Sequence, residues 1–89
     1  MRDLFTTTLF KKDLKRIKKR GKDPAKIKHI IDKLLANEPL DKKFKAHRLI
    51  GNMAPYRECH IEPDWLLIWD EDNHSIRLMR TGSHSDLFP

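Results

Sequence analysis

The chain has 89 residues, enough for one small domain with a single modest core, and we predict one domain over residues 1–89. Its 19 Lys and Arg residues against 13 Asp and Glu give a formal charge of +6. A hydrophobic content of 38% excludes a chain that is disordered as a whole. One cysteine excludes an internal disulfide, and no apolar run approaches the roughly 20 residues that span a bilayer, so we expect a cytoplasmic protein without membrane contact.

The positive charge is concentrated in the first half of the chain. Residues 1–48 carry 16 basic and 6 acidic side chains, whereas residues 49–89 carry 3 and 7. This asymmetry favours a polyanion partner that approaches one side of the molecule. A lysine-rich surface that only keeps the protein soluble explains the composition equally well.

The N-terminal segment predicts a short strand and a basic helix. Residues 4–8 are β-prone, and Thr7 or Thr8 can cap a helix that ends at Gly21. The apolar positions of this helix fall at i, i+4 and i+7 and are Phe10, Leu14 and Ile17. Basic residues cover its other faces, among them Lys11, Lys12, Lys15, Lys18 and Lys19.

A second helix follows, with the strongest helical periodicity in the chain. Asp23 and Pro24 suit its N-cap and first position, and Asn37 to Pro39 ends it. Its apolar side chains recur at i, i+3, i+4, i+7 and i+8, at Ile27, Ile30, Ile31, Leu34 and Leu35. The two helices therefore form an αα-hairpin with a buried seam.

The second half of the chain predicts strands. Residues 47–50 form a brief strand, residues 56–61 alternate so that Glu58 and His60 share a face opposite Cys59, and residues 76–81 form the last strand. Residues 65–69 are too apolar for an edge and should be central. We predict an α+β fold, in which the N-terminal strand and the αα-hairpin pack on one face of a mainly antiparallel, twisted β-sheet.

Two segments hold most of the candidate chemistry, residues 56–64 and residues 80–88. His84 follows a strand end, where it can be aimed into a cleft, and His60 lies on a strand with Asp64 just past the next turn. A histidine with a pKa near 6.5 can give or take a proton at neutral pH. The alternative for His84 is a loop histidine that is only solvated. The alternative for His60 is a strand histidine that pairs with a carboxylate for structural reasons.

Other residues in these segments suit a phosphate or a base. Arg57 and Arg80 can bind phosphate or form salt bridges, and Trp65 and Phe88 can stack on bases, although Trp65 can equally belong to the core. Histidines with Asp64 would supply enough zinc ligands, but no local chelating pair is present, so we expect no metal and no cofactor. Cys59 is expected in the core and not as a nucleophile.

The sequence also resembles a known family through three motifs. They are His47-x-Leu49-x-Gly51, Tyr56-Arg57-Glu58-Cys59-His60-Ile61-Glu62-Pro63-Asp64-Trp65, and Arg80-x-Gly82-x-His84-x-x-Leu87-Phe88. Together they resemble the YafQ branch of the RelE-type bacterial toxins, over nearly the whole chain. The resemblance implies a RelE-like fold, an mRNA interferase that cuts mRNA in the ribosomal A site, and a cognate antitoxin.

The resemblance also implies a set of site residues. The catalytic set would be His47, His60, Asp64, His84 and Phe88, with Arg80 on the scissile phosphate. Glu58 stands where a related member has Asp.

We therefore expect metal-independent RNA cleavage, in which the RNA 2′-OH attacks its own phosphate. His84 would be the general acid and His60, oriented by Asp64, the general base. The reverse assignment is open, and His47 can take the base role instead.

Further residues are expected to bind the RNA. Arg80 and Arg57 would stabilise the phosphorane, Phe88 would hold a base, and Glu58, Trp65 and the lysines of the first helix would contact mRNA or rRNA. We expect the free protein to be monomeric. The alternatives are a non-catalytic ribosome-binding module and a metal-dependent hydrolase.

Overall fold

The computed structural model describes residues 1–89 and contains a five-stranded sheet in the order β1-β5-β4-β3-β2. The strands are β1 Asp3–Thr6, β2 His47–Arg48, β3 Arg57–Glu62, β4 Trp65–Glu71 and β5 Ser75–Gly82. The helices are α1 Thr8–Lys19, α2 Pro24–Leu35 and α3 His84–Leu87, with short 3-10 helices at Lys42–Phe44 and Gly51–Met53. No helix is both long and apolar enough to cross a lipid bilayer.

The predicted position of the apolar strand is confirmed. β4 lies in the centre of the sheet and pairs antiparallel with β3 and β5, whereas β1 pairs parallel with β5. Every residue from Trp65 to Trp69 is buried. A strand buried on both faces needs a continuous apolar run, which is why its sequence lacks alternation.

Local capping chemistry sets the ends of the two long helices. The Thr7 side chain accepts a hydrogen bond from the Phe10 amide, and the Asp23 side chain accepts one from the Ala25 amide. Gly21 follows the end of α1 with φ +87°, a left-handed conformation that L side chains rarely adopt. These predicted start and stop signals are confirmed.

The hydrophobic core lies between the two long helices and one face of the sheet. It includes Phe10 and Ile17 of α1, three apolar residues of α2, and alternate residues of the central strands. Cys59 is fully buried there, and burial raises the pKa of its thiol to about 12. Such a thiol is inert at neutral pH, which confirms the expectation that Cys59 is a core residue.

Three predictions from the sequence are corrected by the fold. The strand predicted over residues 47–50 is limited to His47–Arg48, because a 3-10 helix follows at Gly51–Met53. His84, expected in a loop past the last strand, begins the short helix α3. Trp65 is 1% exposed, and its indole Nε1–H donates to the Thr81 hydroxyl, so it is a core residue and cannot stack on an RNA base.

Candidate active site

The most exposed part of the site is a pair formed by His84 and Asp64. Asp64 lies in the turn between β3 and β4, and His84 is the first residue of α3. Asp64 Oδ1 accepts a 2.9 Å hydrogen bond from the His84 main-chain N–H and lies 2.6 Å from His84 Nδ1. The main-chain and side-chain hydrogen bonds from His84 lower the pKa of Asp64 below its ordinary value. With its proton on Nδ1, His84 presents Nε2 to solvent.

The predicted pairing of Asp64 with His60 is wrong. His60 Nδ1 instead lies 3.3 Å from the carbonyl oxygen of Pro63, and the carboxylate of Asp64 faces the start of α3. A register shift between β3 and β4 at residues 60–62 changes the direction of the chain before the turn. Asp64 therefore orients His84, and Pro63 orients His60.

The two imidazole rings lie close enough to act on one phosphate. The ring centroids of His60 and His84 are 5.7 Å apart, with planes inclined by 53°. His60 is 22% exposed at its side chain and His84 54% exposed. Because each ring nitrogen reaches about 3 Å to a hydrogen-bond partner, the pair can contact two different oxygens of a single phosphodiester.

Glu58 lies beneath two of the histidines and does not face solvent. Pairing of β2 with β3 places His47 opposite Glu58, and His47 Nε2 and His60 Nε2 lie 3.5 Å and 3.8 Å from the same oxygen, Glu58 Oε1. His47 Nδ1 lies 2.7 Å from the carbonyl oxygen of Lys45. Since Glu58 is 7% exposed and contacts His47 and His60, the prediction that it binds RNA itself is corrected.

The candidate phosphate-binding arginines occupy different surroundings. Ile68 pairs with both Glu58 and Arg80, so these three residues share one face of the sheet. Arg57 points to the opposite face of β3, where its Nε lies 3.5 Å from Glu71 Oε1. The structure therefore keeps Arg80 as a candidate and corrects the prediction for Arg57.

Arg80 is held by a residue that the sequence analysis missed. Asp13 of α1 is 1% exposed and accepts hydrogen bonds from Arg80 Nε at 2.6 Å, Arg80 Nη2 at 3.2 Å and the Thr81 amide at 3.3 Å. The hydrogen bond to Asp13 raises the pKa of Arg80 above its ordinary value. The sequence carried one signal for this role: Asp13 stands between Phe10 and Ile17 at a position of α1 that faces the core, where an acidic residue needs a partner.

The tail residue Phe88 remains available to a ligand. It follows α3, its amide donates to the His84 carbonyl oxygen, and it is 45% exposed. An exposed aromatic ring at this position can stack on a nucleobase.

The lysines of α1 form a free cationic surface. None of the five lysines of this helix has a carboxylate oxygen within 4.0 Å of its Nζ, whereas Lys22, Lys26, Lys28 and Lys33 all form salt bridges. The five are exposed, and they are Lys11, Lys12, Lys15, Lys18 and Lys19. Their charge is therefore available to a polyanion.

Asp86 attaches α3 to the rest of the molecule. It accepts hydrogen bonds at 2.6 and 3.0 Å from Arg20, and it forms a reciprocal capping box with Ser83. The hydrogen bond from Arg20 and the main-chain N–H of Ser83 hold the pKa of Asp86 well below its ordinary value. The position of His84 thus depends on an ion pair between α3 and α1.

Acid should release α3. A carboxyl group with a depressed pKa in the folded state adds stability above its unfolded value of about 3.9, and that stability is lost as pH falls through and below this value. We expect the hydrogen-exchange protection of the Phe88 amide, corrected for the intrinsic rate, to fall below about pH 4. In Asp86→Asn it should be weaker at pH 7 and vary less with pH. Asp32→Asn, at an exposed acid of α2, is the control; identical acid profiles for wild type and Asp86→Asn would contradict the prediction.

Comparisons with known proteins match nearly the whole chain. The model of the YafQ family, bacterial toxins of type II toxin–antitoxin systems, matches residues 2–89. This chain belongs to that family. It is 40% identical to the mRNA interferase toxin YafQ of Escherichia coli K12 over 88 residues, which are 98% of this chain and 96% of that protein.

Solved structures of relatives confirm the predicted α+β fold. YafQ in the E. coli DinJ-YafQ toxin-antitoxin complex has a TM-score of 0.92 and 39% identity, covering 99% of this chain and 98% of that chain. A copper-bound mutant toxin from Helicobacter pylori has a TM-score of 0.94 and 39% identity, covering 99% and 100%. The family resemblance predicted from the three motifs is therefore confirmed.

Proposed function

We propose that this chain is an mRNA interferase, an endoribonuclease that cuts ribosome-bound mRNA in the cytoplasm without a metal. The observation that carries the proposal is the pair of imidazole rings of His60 and His84, whose centroids are 5.7 Å apart. The ring of His84 is hydrogen-bonded to the carboxylate of Asp64. The 40% identical E. coli relative is named as an mRNA interferase toxin, which supports the same activity class.

The hydrogen bonds favour His84 as the general acid. Its Nδ1–H donates to Asp64, and a carboxylate at this position compensates the charge of an imidazolium. A protonated His84 would deliver the Nε2 proton to the departing 5′ oxygen as the phosphorus–oxygen bond breaks. Two histidines then supply both proton transfers of the reaction.

The hydrogen bonding of His60 supports a role as the general base. Its Nδ1–H donates to the Pro63 carbonyl oxygen, which leaves the Nε2 lone pair to accept the 2′-OH proton as the 2′ oxygen bonds to phosphorus. The carboxylate of Glu58, 3.8 Å from Nε2, would stabilise the imidazolium that forms. His47, on the other side of Glu58, would bind the phosphate or share the base role.

Arg80, Phe88 and α1 would bind the RNA. Two of the three guanidinium nitrogens of Arg80 contact Asp13, which leaves Nη1 for an oxygen of the phosphorane. The exposed Phe88 ring would hold a base next to His84, and the unpaired lysines of α1 would bind rRNA with a strong dependence on salt.

A cognate antitoxin would be the protein partner of this chain. The solved E. coli relative forms the DinJ-YafQ toxin-antitoxin complex. The formal charge of +6 on this chain favours an acidic segment in such a partner.

The proposal is tested by primer extension on a reporter mRNA in a cell-free translation system. The chelator should bind copper and zinc but spare the Mg²⁺ that ribosomes need, because a relative from H. pylori is copper-bound. We expect cuts in frame with translation, in the presence of chelator, and none in untranslated mRNA. Cuts that the chelator abolishes would establish a metal-dependent enzyme instead. Ribosome binding without any cut would establish a non-catalytic module.

A further inference from the structure

A groove of about 720 Å³ opens beside His60, and neither His84 nor Phe88 lines it. It lies between the N-terminal half of α2, the 3-10 helix at Lys42–Phe44 and the end of β3. This volume is within the range of about 300–1,000 Å³ that is common for ligand sites. Because His60 belongs both to the groove and to the candidate active site, a ligand in the groove can continue to the reacting phosphate.

The floor of the groove is apolar, and one wall is aromatic. Ile61 and Pro63 of the β3–β4 corner, with Ala25 of α2, supply the apolar surface. The Phe44 ring forms part of the wall, with the His29 ring 6.2 Å away and inclined by 49°. A cleft with an aromatic ring and apolar surface suits a nucleobase, since every base has a π-face.

The charges around the groove favour an anionic ligand. Lys43 and Lys45 have no carboxylate within 4.0 Å, and Lys43 Nζ lies 5.2 Å from the centre of the Phe44 ring. The carboxylate of Glu62 is already occupied by Lys22 and Lys26, both at 2.6 Å, and these hydrogen bonds lower its pKa. Neither lysine is held by a carboxylate, and Lys43 can leave its cation–π contact with the Phe44 ring to bind a phosphate, which uncovers the ring for the base.

The groove also follows a sheet edge. β2 pairs only with Arg57 and Glu58 of β3, so residues 59–62 have no strand partner on that side. The 3-10 helix at Lys42–Phe44 contacts β3. Main-chain groups of residues 59–62 that this helix leaves unpaired can hydrogen-bond to the edge of a base, which gives the groove a means of discrimination.

We propose that this groove is the subsite for the nucleotide on the 5′ side of the cleaved bond. The 2′-OH of this nucleotide gives its proton to His60, and its 2′ oxygen attacks the phosphorus. This rests on the proposed function, in which His60 takes the 2′ proton. The base lies on Phe44, and its 5′ phosphate lies between Lys43 and Lys45. The groove thereby sets which base precedes the cut.

The test uses a short single-stranded RNA with a 2′-deoxy sugar at the cleavage position, which cannot react. We expect amide chemical shifts of Ala25, Phe44 and Ile61 to change on titration. Lys43→Ala/Lys45→Ala should weaken binding about tenfold, on the order of a double phosphate contact at low salt. Lys28→Ala/Lys33→Ala, with the same loss of charge on another part of the surface, should stay within about twofold.

RNAs with a single abasic nucleotide test whether the base on the 5′ side of the cleaved bond, and not the base on the 3′ side, occupies the groove. Removing the base on the 5′ side should weaken binding about fivefold or more to wild type but little to Phe44→Leu, since only an aromatic ring stacks on the base. Removing the base on the 3′ side should affect both proteins equally. Equal effects of the 5′ abasic site on both proteins would overturn the proposal.

The same experiment separates this proposal from the proposed function. Unshifted groove amides in a protein that cuts mRNA would overturn the subsite and leave the enzyme intact. Groove amides that shift with antitoxin but not with RNA would assign the groove to the protein partner and overturn the subsite as well. Because the probe RNA cannot react, binding is measured whether or not cleavage occurs.

Discussion

Replacing His84 with alanine should lower the rate of mRNA cleavage by about 10²–10⁴-fold, the usual contribution of one proton-transfer residue, while ribosome binding changes by less than about twofold. The reason is that His84 presents Nε2 to solvent from a ring fixed by Asp64. Cleavage is measured by primer extension in single turnover and binding by co-sedimentation with ribosomes. Asp64→Asn keeps the size of the side chain and should reproduce a large part of the loss, because it no longer compensates the imidazolium.

His74→Ala is the matched control for this prediction. His74 lies in the exposed turn between β4 and β5, so its replacement removes an imidazole without touching the site. It should retain cleavage within about twofold. Equal losses of cleavage and ribosome binding in His84→Ala would make His84 a binding residue and would remove the acid from the proposed mechanism.

Features that depend on local chemistry were predictable from the sequence. Thr7 and Asp23 begin their helices through hydrogen bonds to amides two or three residues away, and Gly21 ends α1 by its left-handed backbone. The apolar run of residues 65–69 likewise required a central strand. The three motifs of the family identified the histidines, although only the structure shows which of them are neighbours.

Features that depend on tertiary geometry were not predictable. The partner of Asp64 is set by the register shift at the end of β3 and by the docking of α3 through Asp86, neither of which leaves a periodic signal. Proximity in sequence favoured His60, four residues away, but the turn directs the carboxylate to His84. Trp65 illustrates the same limit, because an indole suits both a core and a stacking site until its burial is known.

Replacing Asp13 with alanine should lower the free energy of unfolding by about 2–3 kcal/mol. The replacement leaves the buried Thr81 amide without its side-chain acceptor, and an unsatisfied buried donor costs about 1–3 kcal/mol. It also frees Arg80, which is 31% exposed and can turn to water. Asp32→Ala, at an exposed acid of α2, should change stability by less than about 0.5 kcal/mol. Urea unfolding followed by tryptophan fluorescence measures both variants.

The arginine of this pair should matter more for stability than the aspartate. Arg80→Ala leaves the carboxylate of Asp13, 1% exposed, with Arg16 at 3.4 Å as its remaining cation, and the loss of one partner from a buried ion pair costs about 3–5 kcal/mol. In the double variant that carboxylate is gone, so its loss of stability should be smaller than the sum of the two single losses by more than about 1 kcal/mol. Additive losses would show that Asp13 and Arg80 are not coupled in solution. Coupling would show that the fold of α1 against β5 depends on the arginine that the proposed reaction uses on phosphate.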